Sequence, residues 1–190
     1  KAEARMGVPE GGGMTGVIGM LHCGMGPTVA LRFDIDALPV RECEELDHFP
    51  AQEGFRSEHA GYMHACGHDG HITVGLGTAK LLCQMREQLH GTIKFIFQPA
   101  EEGVRGARAI VENGHLEDVD FLLAAHMYGG SEQHPCGICI TAGHGLATTK
   151  LDVDFHGKAS HAAAAPEQGN NALLAAATAV LNLQAIPRHG

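Results

Sequence analysis

Short apolar runs alternate with helical patterns along this chain, and the alternation restricts its possible folds more than any other feature. Residues 92–97 form a strongly β-like run, and residues 121–126 form a second apolar run. Residues 69–89 and 104–112 carry apolar side chains at helical spacing. Strands that alternate with helices predict an α/β domain with a mixed, mainly parallel central sheet flanked by helices.

The first part of the chain predicts two more strands and a long loop. Residues 16–21 and 28–33 are β-branched or apolar runs bounded by glycine and proline, and they predict neighbouring strands joined by a turn. Residues 34–65 are polar and predict a long functional loop. Asp69 is the expected N-cap of the helix that follows the loop.

The character of the sequence changes near residue 147. We assign residues 1–146 to a catalytic domain of which only the first segment is present. Residues 147–190 are assigned to the truncated start of a smaller α/β lid or dimerisation domain. In that part residues 149–155 alternate as a strand does, and residues 171–185 predict an Ala/Leu-rich helix.

Composition excludes several classes of function. The formal net charge is −9 and no Lys/Arg cluster is present, so nucleic acid is not an expected partner. No apolar run approaches the ~18 residues of a spanning helix, so no membrane partner is expected. Six cysteines in a chain without a secretion signal favour reduced thiols in the cytoplasm. The 14 histidines hint at metal chemistry.

The strongest candidate for a metal site is the segment 63–71, MHACGHDGH. Cys66 and His68 are two residues apart, and a thiolate with an imidazole suits zinc or a similar ion. Asp69 could accept the second ring N–H of a ligand histidine. A polar helix-capping loop without chemistry is the alternative interpretation.

A pair of carboxylates, Glu101 and Glu102, follows the run at residues 92–97. Ligands bind at the carboxyl ends of parallel strands, and neighbouring residues point in different directions. One carboxylate could therefore bind a metal while the other acts as a general base. The alternative is an acidic first helical turn favoured by the helix dipole.

Three more residues become candidates through their positions. His126 closes an apolar strand, and it is a ligand candidate because that strand should lie near the other segments. Asp36 could orient a ligand, or Asp34 and Asp36 could satisfy loop N–H groups. His161 lies in a loop of small residues and could donate to a developing oxyanion, although such a segment is more often a surface loop.

Cys136 and Cys139 form a C-x-x-C pair, which could be a redox pair or a structural zinc site. A redox pair normally opens a helix, whereas residues 137–141 predict a strand. We therefore favour neither role for this pair.

Taken together, these segments resemble the M20 metallopeptidase family, in the subgroup of aminoacylase, hippurate hydrolase and auxin-conjugate hydrolase. Five blocks match in the order of the family: 30–39 (ALRFDIDALP), 63–71 (MHACGHDGH), 97–103 (FQPAEEG), 125–126 (AH) and 157–162 (GKASHA). The flanking segments resemble relatives that hydrolyse p-aminobenzoyl-glutamate. The resemblance implies a zinc-exopeptidase-like fold.

The same resemblance implies a role for each matching residue. Two divalent metal ions, zinc or manganese, would be bound by Cys66, His68, Glu102 and His126. The general base would be Glu101, and His161 would polarise the scissile carbonyl. Support from behind the site would come from Asp36, and contact with a substrate carboxylate from Asn171. A fifth ligand, a histidine, would lie beyond residue 190.

The expected reaction is hydrolysis of the amide bond in p-aminobenzoyl-glutamate or a related aroyl or acyl amino acid. The expected assembly is a homodimer, or a hetero-oligomer with a related subunit. Two alternatives stay open: a metal-binding relative without turnover, and a thiol hydrolase with Cys66 as the nucleophile.

Overall fold

A computed structural model of the chain describes residues 5–7, 14–45, 47–127, 137–138, 140 and 151–186. The chain divides into two compact units, Lys1–Ala142 and Gly143–Gly190. The predicted boundary near residue 147, the C-x-x-C pair and most of the strand predicted at 137–141 lie outside the described residues. Within the described ranges, no helix is both long and apolar enough to cross a membrane.

The first unit contains a five-stranded sheet with the strand order β1-β2-β4-β3-β5. The strands are β1 (Arg5–Gly7), β2 (Met14–His22), β3 (Thr28–Asp34), β4 (Thr92–Gln98) and β5 (Phe121–Ala124). The helices are α1 (Phe49–Gln52), α2 (His68–Gln84) and α3 (Gly106–Glu112), with a 3₁₀ turn at Arg86–Gln88.

The sheet is mixed, and this confirms the predicted fold class. β3 is parallel to both β4 and β5, whereas β2 is antiparallel to β1 and β4. The prediction that the first two long strands are neighbours is wrong, since β4 lies between β2 and β3. The connection between these two strands crosses the start of β4, where Cys23 N–H donates to Gly91 O at 2.8 Å.

One face of the sheet packs on α3 and the segment that follows it. The buried core on this face consists of Ile18, Ala30, Ile96 and Ile110. Lys94 is also buried, and its ammonium group donates to His115 O at 2.9 Å and to the Asp118 carboxylate. A buried lysine needs such partners, because an isolated charge would be costly there.

Alternate residues of β3 and β4 point to the opposite face, which packs on α2. Phe33 and Phe97 stack there with ring centroids 5.5 Å apart. Both rings contact Gly75 of α2, where the missing side chain lets the helix come close to the sheet. The close packing brings the first turn of α2 to the carboxyl ends of the parallel strands.

The start of α2 differs from the prediction. The N-cap is Gly67, with a φ of 84°, and Asp69 lies inside the first turn. A positive φ is easily adopted by glycine, so the chain can turn sharply between Cys66 and His68. Asp69 instead provides a negative charge near the helix N-terminus, where the dipole favours it.

The second unit contains α4 (Ala172–Leu183), preceded by a 3₁₀ turn at Pro166–Gln168. The predicted strand at residues 149–155 is not formed in its described part, 151–155. A strand needs a partner to satisfy its backbone groups. The described residues of this unit provide only one isolated bridge, between Lys158 and Asn170.

Candidate metal centre

Four chain segments meet at the edge of the sheet where β3, β4 and β5 end. The parallel pairing of these strands brings their carboxyl ends together, which is where α/β sheets place ligands. Asp34 ends β3, Glu101 and Glu102 follow β4, and His126 follows β5. The fourth segment is the turn into α2 that carries Cys66 and His68.

The structure brings together the four residues predicted as metal ligands. The Sγ atom of Cys66 lies 3.5 Å from His126 Nε2. The Nε2 atom of His68 lies 3.9 Å from Glu102 Oε1. One ligand atom from each of Cys66, His68 and Glu102 falls within 4.8 Å of the others. A thiol, two imidazoles and a carboxylate thus converge from three separate segments of the chain.

His68 is held in one orientation and one tautomer. Its Nδ1–H donates to the backbone carbonyl oxygen of Asp36 at 2.8 Å, so its Nε2 carries a lone pair. The side chain is fully buried, and Nε2 has no hydrogen-bond partner among the residues that the structure describes. Buried polar atoms are nearly always paired, and an unpaired nitrogen lone pair that faces a thiol and carboxylates fits a cation.

Asp36 contacts two of the predicted ligands, His68 and Glu102. Its Oδ2 accepts the backbone N–H of Glu102 at 3.0 Å, while its backbone carbonyl holds His68. One residue therefore orients two predicted ligands. The prediction that Asp69 accepts the second ring N–H of a ligand histidine is wrong, because Asp36 O takes that proton and Asp69 is exposed.

Burial and, after it, the negative charge around Cys66 disfavour its thiolate. Burial raises the pKa of the Cys66 thiol, and a hydrogen bond with Glu102 and the charges of Glu101 and Asp34 raise it further. A thiol of this kind is a poor nucleophile without a neighbouring cation. A bound metal ion would reverse this balance, because a coordinating thiol loses its proton.

The backbone around the two glutamates is strained. Ala100 and Val104, which flank Glu101 and Glu102, both have a φ of 55°. For a β-branched residue such as Val104 a positive φ is a genuine outlier. Strain of this kind concentrates at functional sites.

Two buried residues of the site, Asp34 and His71, had no predicted role there. The Nδ1–H of His71 donates to Asp34 Oδ1, and Arg32 Nη1 lies 2.9 Å from Asp34 Oδ2. Burial alone would raise the pKa of Asp34, but the His71 hydrogen bond and the Arg32 charge outweigh it, and the pKa lies below its usual value. A signal existed: His71 is three residues after His68, which puts both on one helix face.

A cavity of about 810 Å³ lies in the loop between β3 and α2. Its lining includes Ala37 and Asp69, the chain neighbours of Asp36 and His68, together with His64. Two aromatic residues, Phe55 and Tyr62, contribute apolar surface. The loop predicted to be functional thus provides space for a small molecule.

The remaining predicted site residues, His161 and Asn171, belong to the second unit. The Nδ1 atom of His161 accepts the backbone N–H groups of Ala163 at 3.2 Å and Ala164 at 3.0 Å. Asn171 caps α4, since its Oδ1 accepts the Leu174 N–H at 3.1 Å. The predicted roles of both residues toward substrate stay predictions.

Comparison with known proteins places these features in a family. A model of peptidase family M20/M25/M40 matches residues 30–188. The A subunit of the p-aminobenzoyl-glutamate hydrolase of Escherichia coli (strain K12) is 51% identical over 180 residues, which cover 94% of this chain and 41% of the relative. Indole-3-acetyl-aspartic acid hydrolase of Enterobacter agglomerans is 50% identical, with the same coverage of both chains. The chain thus spans about two fifths of the length of these relatives.

Solved structures agree with the family model. An aminobenzoyl-glutamate utilization protein from Klebsiella pneumoniae matches with a TM-score of 0.61 and 38% identity, over 98% of this chain and 46% of that chain. The YXEP protein of Bacillus subtilis, described as a dinuclear metal-binding peptidase from the M20 family, matches with a TM-score of 0.54 and 46% identity, over 60% of this chain and 30% of that chain. The resemblance to the M20 family is therefore confirmed, and the chain belongs to peptidase family M20/M25/M40.

Proposed function

We propose that this chain carries metal-binding residues of an amidohydrolase that cleaves the amide bond of an N-acyl amino acid. One observation carries the proposal: the buried Nε2 of His68, which has no hydrogen-bond partner in the described part of the chain, faces a cluster that also contains Cys66 and Glu102. Leaving this atom without a partner is costly unless a cation occupies the cluster. Membership of the M20 family supports the same chemistry.

Two divalent metal ions, zinc or manganese, are the proposed occupants. Their proposed ligands are Cys66, His68, Glu102 and His126. Thiolate and imidazole groups suit zinc, and carboxylates suit zinc and manganese alike. The description of the YXEP protein as a dinuclear metal-binding peptidase supports the number of ions.

The residues around the cluster have different proposed roles in hydrolysis. When bound, the ions polarise the scissile carbonyl and lower the pKa of water. Glu101 is the proposed general base, which takes a proton from the attacking water and passes it to the leaving amine. Its charge acts on Cys66, which supports a position beside the cluster. Asp36 holds His68 and the backbone of Glu102 in place.

His161 is the proposed hydrogen-bond donor to the developing oxyanion. Its Nδ1 accepts two backbone N–H groups, so the ring proton is carried by Nε2. A neutral imidazole with a fixed Nε2–H is suited to donate one hydrogen bond to a carbonyl oxygen. Asn171 is proposed to contact the substrate carboxylate.

The proposed substrate is p-aminobenzoyl-glutamate or a related aroyl or acyl amino acid. Two relatives about half identical to the chain are named as hydrolases of p-aminobenzoyl-glutamate and indole-3-acetyl-aspartic acid. In both compounds an aromatic acyl group is joined to an acidic amino acid. The cavity that contains Phe55 and Tyr62 offers apolar surface for such a group.

Assembly and location complete the proposal. The Escherichia coli relative is named as one subunit of its enzyme, which supports an assembly of more than one chain. We propose a homodimer or a hetero-oligomer with a related chain. Four described cysteines, Cys23, Cys43, Cys66 and Cys83, are free thiols. Free thiols agree with the proposed location in the cytoplasm.

A thiol hydrolase is the second candidate, because Cys66 Sγ lies 3.5 Å from His126 Nε2. The raised pKa of Cys66 argues against it. A chelator separates the two candidates, since it abolishes hydrolysis by a metal enzyme and spares a thiol enzyme.

The experiment uses the full-length protein, freed of metal and then reloaded with zinc or manganese. Hydrolysis of p-aminobenzoyl-glutamate, hippurate and N-acetyl amino acids is followed before and after reloading. We expect activity only with metal and the highest kcat/KM on an aroyl amino acid. Activity that survives metal removal would favour the thiol mechanism, and bound metal without any hydrolysis would favour a relative that has lost turnover.

A further inference from the structure

His71 is a buried side chain of the site that the proposed mechanism does not use. It lies on α2, three residues after His68, and is 4% exposed. Both ring nitrogens are hydrogen-bonded: Nδ1 to the Asp34 carboxylate, and Nε2 to the backbone N–H of Met127 at 2.8 Å. The ring therefore connects the end of β3, the first turns of α2 and the segment after β5.

The direction of each hydrogen bond follows from the partners. A backbone N–H can only donate, so Nε2 of His71 must carry a lone pair toward Met127. The proton of a neutral ring then sits on Nδ1 and is donated to Asp34. Arg32 neutralises the other oxygen of this carboxylate at 2.9 Å, which keeps Asp34 available as a charged acceptor.

These contacts exclude His71 itself as a ligand in the described conformation. Ligand atoms of Asp34, His68, His71 and His126 lie within 4.8 Å of one another, and the four residues thus resemble a metal site by distance alone. The lone pair of His71, however, already accepts the Met127 N–H. A metal ion at that nitrogen would leave the backbone donor without its partner.

The contact instead restrains the neighbouring residue, His126. The Met127 peptide is held by His71 through its N–H, and its carbonyl oxygen accepts the Nδ1–H of His126 at 2.7 Å. The rings of His71 and His126 meet edge to face, with centroids 4.6 Å apart. His126 is exposed, so packing alone does not fix it.

We propose that His71 is a positioning residue that fixes the imidazole of His126 toward the metal cluster by holding the Met127 peptide. The Asp34 carboxylate holds the His71 ring through its Nδ1–H, and His71 holds the Met127 peptide that orients His126. The inference rests on the proposed function, in which His126 binds metal.

Two substitutions of His71 distinguish a role in holding the Met127 peptide from a role in filling space. In His71→Asn the side-chain amide replaces Nδ1 and can still donate to Asp34, but nothing reaches the Met127 N–H. In His71→Gln the longer side chain can place its carbonyl oxygen near the former Nε2. Both variants keep a polar, uncharged side chain, and glutamine is the closer of the two to histidine in volume.

The first measurement needs no metal and uses the full-length protein: hydrogen exchange of the Met127 amide. We expect protection in the wild type and in His71→Gln, and loss of protection in His71→Asn at equal global stability. The second measurement is cobalt(II) affinity, by competition with a chelator, together with the cobalt absorption spectrum. Loss of an orienting partner weakens metal binding by about 10–100-fold, and we expect this in His71→Asn with recovery in His71→Gln.

Unchanged Met127 exchange and unchanged cobalt affinity in a folded His71→Asn protein would overturn the inference. If this variant does not fold, Asp34→Asn replaces it, because it keeps His71 and the packing volume. The neutral acceptor should hold the His71 ring less firmly, so the Met127 amide should lose protection and the cobalt affinity should fall, whereas unchanged Met127 exchange with full cobalt affinity contradicts the inference. A wild-type protein with a protected Met127 amide that binds no cobalt would refute the proposed function and leave the restraint on Met127 supported.

Discussion

Gly75 of α2 lies so close to Phe97 of β4 that a Cβ atom at this position would come within 2.7 Å of Phe97 Cε1. Phe33 is almost as near, at 2.9 Å. Both rings are held by their stacking on each other, so neither can move away freely. The absence of a side chain at one helix position thus sets the distance between α2 and the sheet.

Gly75→Ala should therefore destabilise the protein. A helix gains about 1 kcal/mol from this change in an open position, but overpacking costs about 1–3 kcal/mol, and the overlap at Gly75 makes the second effect larger. The control is Gly77→Ala in the same helix, where a Cβ meets nothing within 4 Å in the described part of the chain and stability should rise. Urea unfolding checks both, and equal effects of the two substitutions would contradict the packing argument.

The strain beside the glutamate pair predicts a stabilising substitution. Val104 has a φ of 55° and is 53% exposed, so Val104→Gly removes strain and little buried surface. The left-handed conformation costs valine about 1–2 kcal/mol. Glycine removes this cost but lowers the stability by about 0.5–1 kcal/mol, because it increases the conformational entropy of the unfolded chain. A net gain of about 0.5–1 kcal/mol is expected from these two opposing terms.

The control for this prediction is Val111→Gly, at a similarly exposed valine in the last turn of α3. Glycine in a helix interior is less favourable than valine by about 0.3–0.5 kcal/mol, so this variant should lose stability. Thermal unfolding of both variants measures the sign of each stability change, which we expect to be a gain in Val104→Gly and a loss in Val111→Gly. A loss of stability in Val104→Gly would mean that the strain is compensated by contacts of the valine side chain.

The sequence predicts some residues of the site and not others. Cys66, Glu102 and His126 each stand where a strand or loop meets the carboxyl edge of the sheet, and their meeting follows from the alternation of strands and helices. The role of His71 depends on which way two hydrogen bonds point, which no spacing reveals. The place of β4 between β2 and β3 rests on pairing between distant segments, whereas turn signals report only local structure.

The contact between Lys94 and Asp118 predicts a pH dependence of stability. The hydrogen bond from Lys94 holds the pKa of Asp118 below its ordinary value. A carboxyl group whose pKa is lower in the folded state stabilises the fold above its unfolded pKa of about 3.9. That contribution disappears as the pH falls through the folded pKa, so the loss occurs below about pH 4.

Asp118→Asn tests this dependence. The Asp118 side chain is 52% exposed, so the contribution at neutral pH is about 1 kcal/mol or less. The free energy of unfolding should fall less between pH 6 and pH 3 in the variant than in the wild type. Parallel pH profiles would contradict the coupling to Lys94.

Glu101→Gln tests whether Glu101 acts as the general base and not as a metal ligand. The substitution keeps the size of the side chain and removes the group that accepts a proton. Hydrolysis should fall by about 10²–10⁴-fold, while the metal content by elemental analysis should stay that of the wild type. Glu112→Gln on α3 is the control and should retain full activity. An unchanged rate in Glu101→Gln would remove Glu101 as the base.

Asn171 has an observed structural role and a proposed substrate role, and two substitutions distinguish them. Asn171→Ala removes the N-cap of α4 and should cost about 1 kcal/mol of stability. Asn171→Asp keeps a capping oxygen, so its stability should match the wild type. Its added negative charge would repel a substrate carboxylate, and we expect KM to rise about tenfold, the equivalent of about 1.4 kcal/mol. A wild-type KM in Asn171→Asp, with the stability loss seen only in Asn171→Ala, would restrict Asn171 to its capping role.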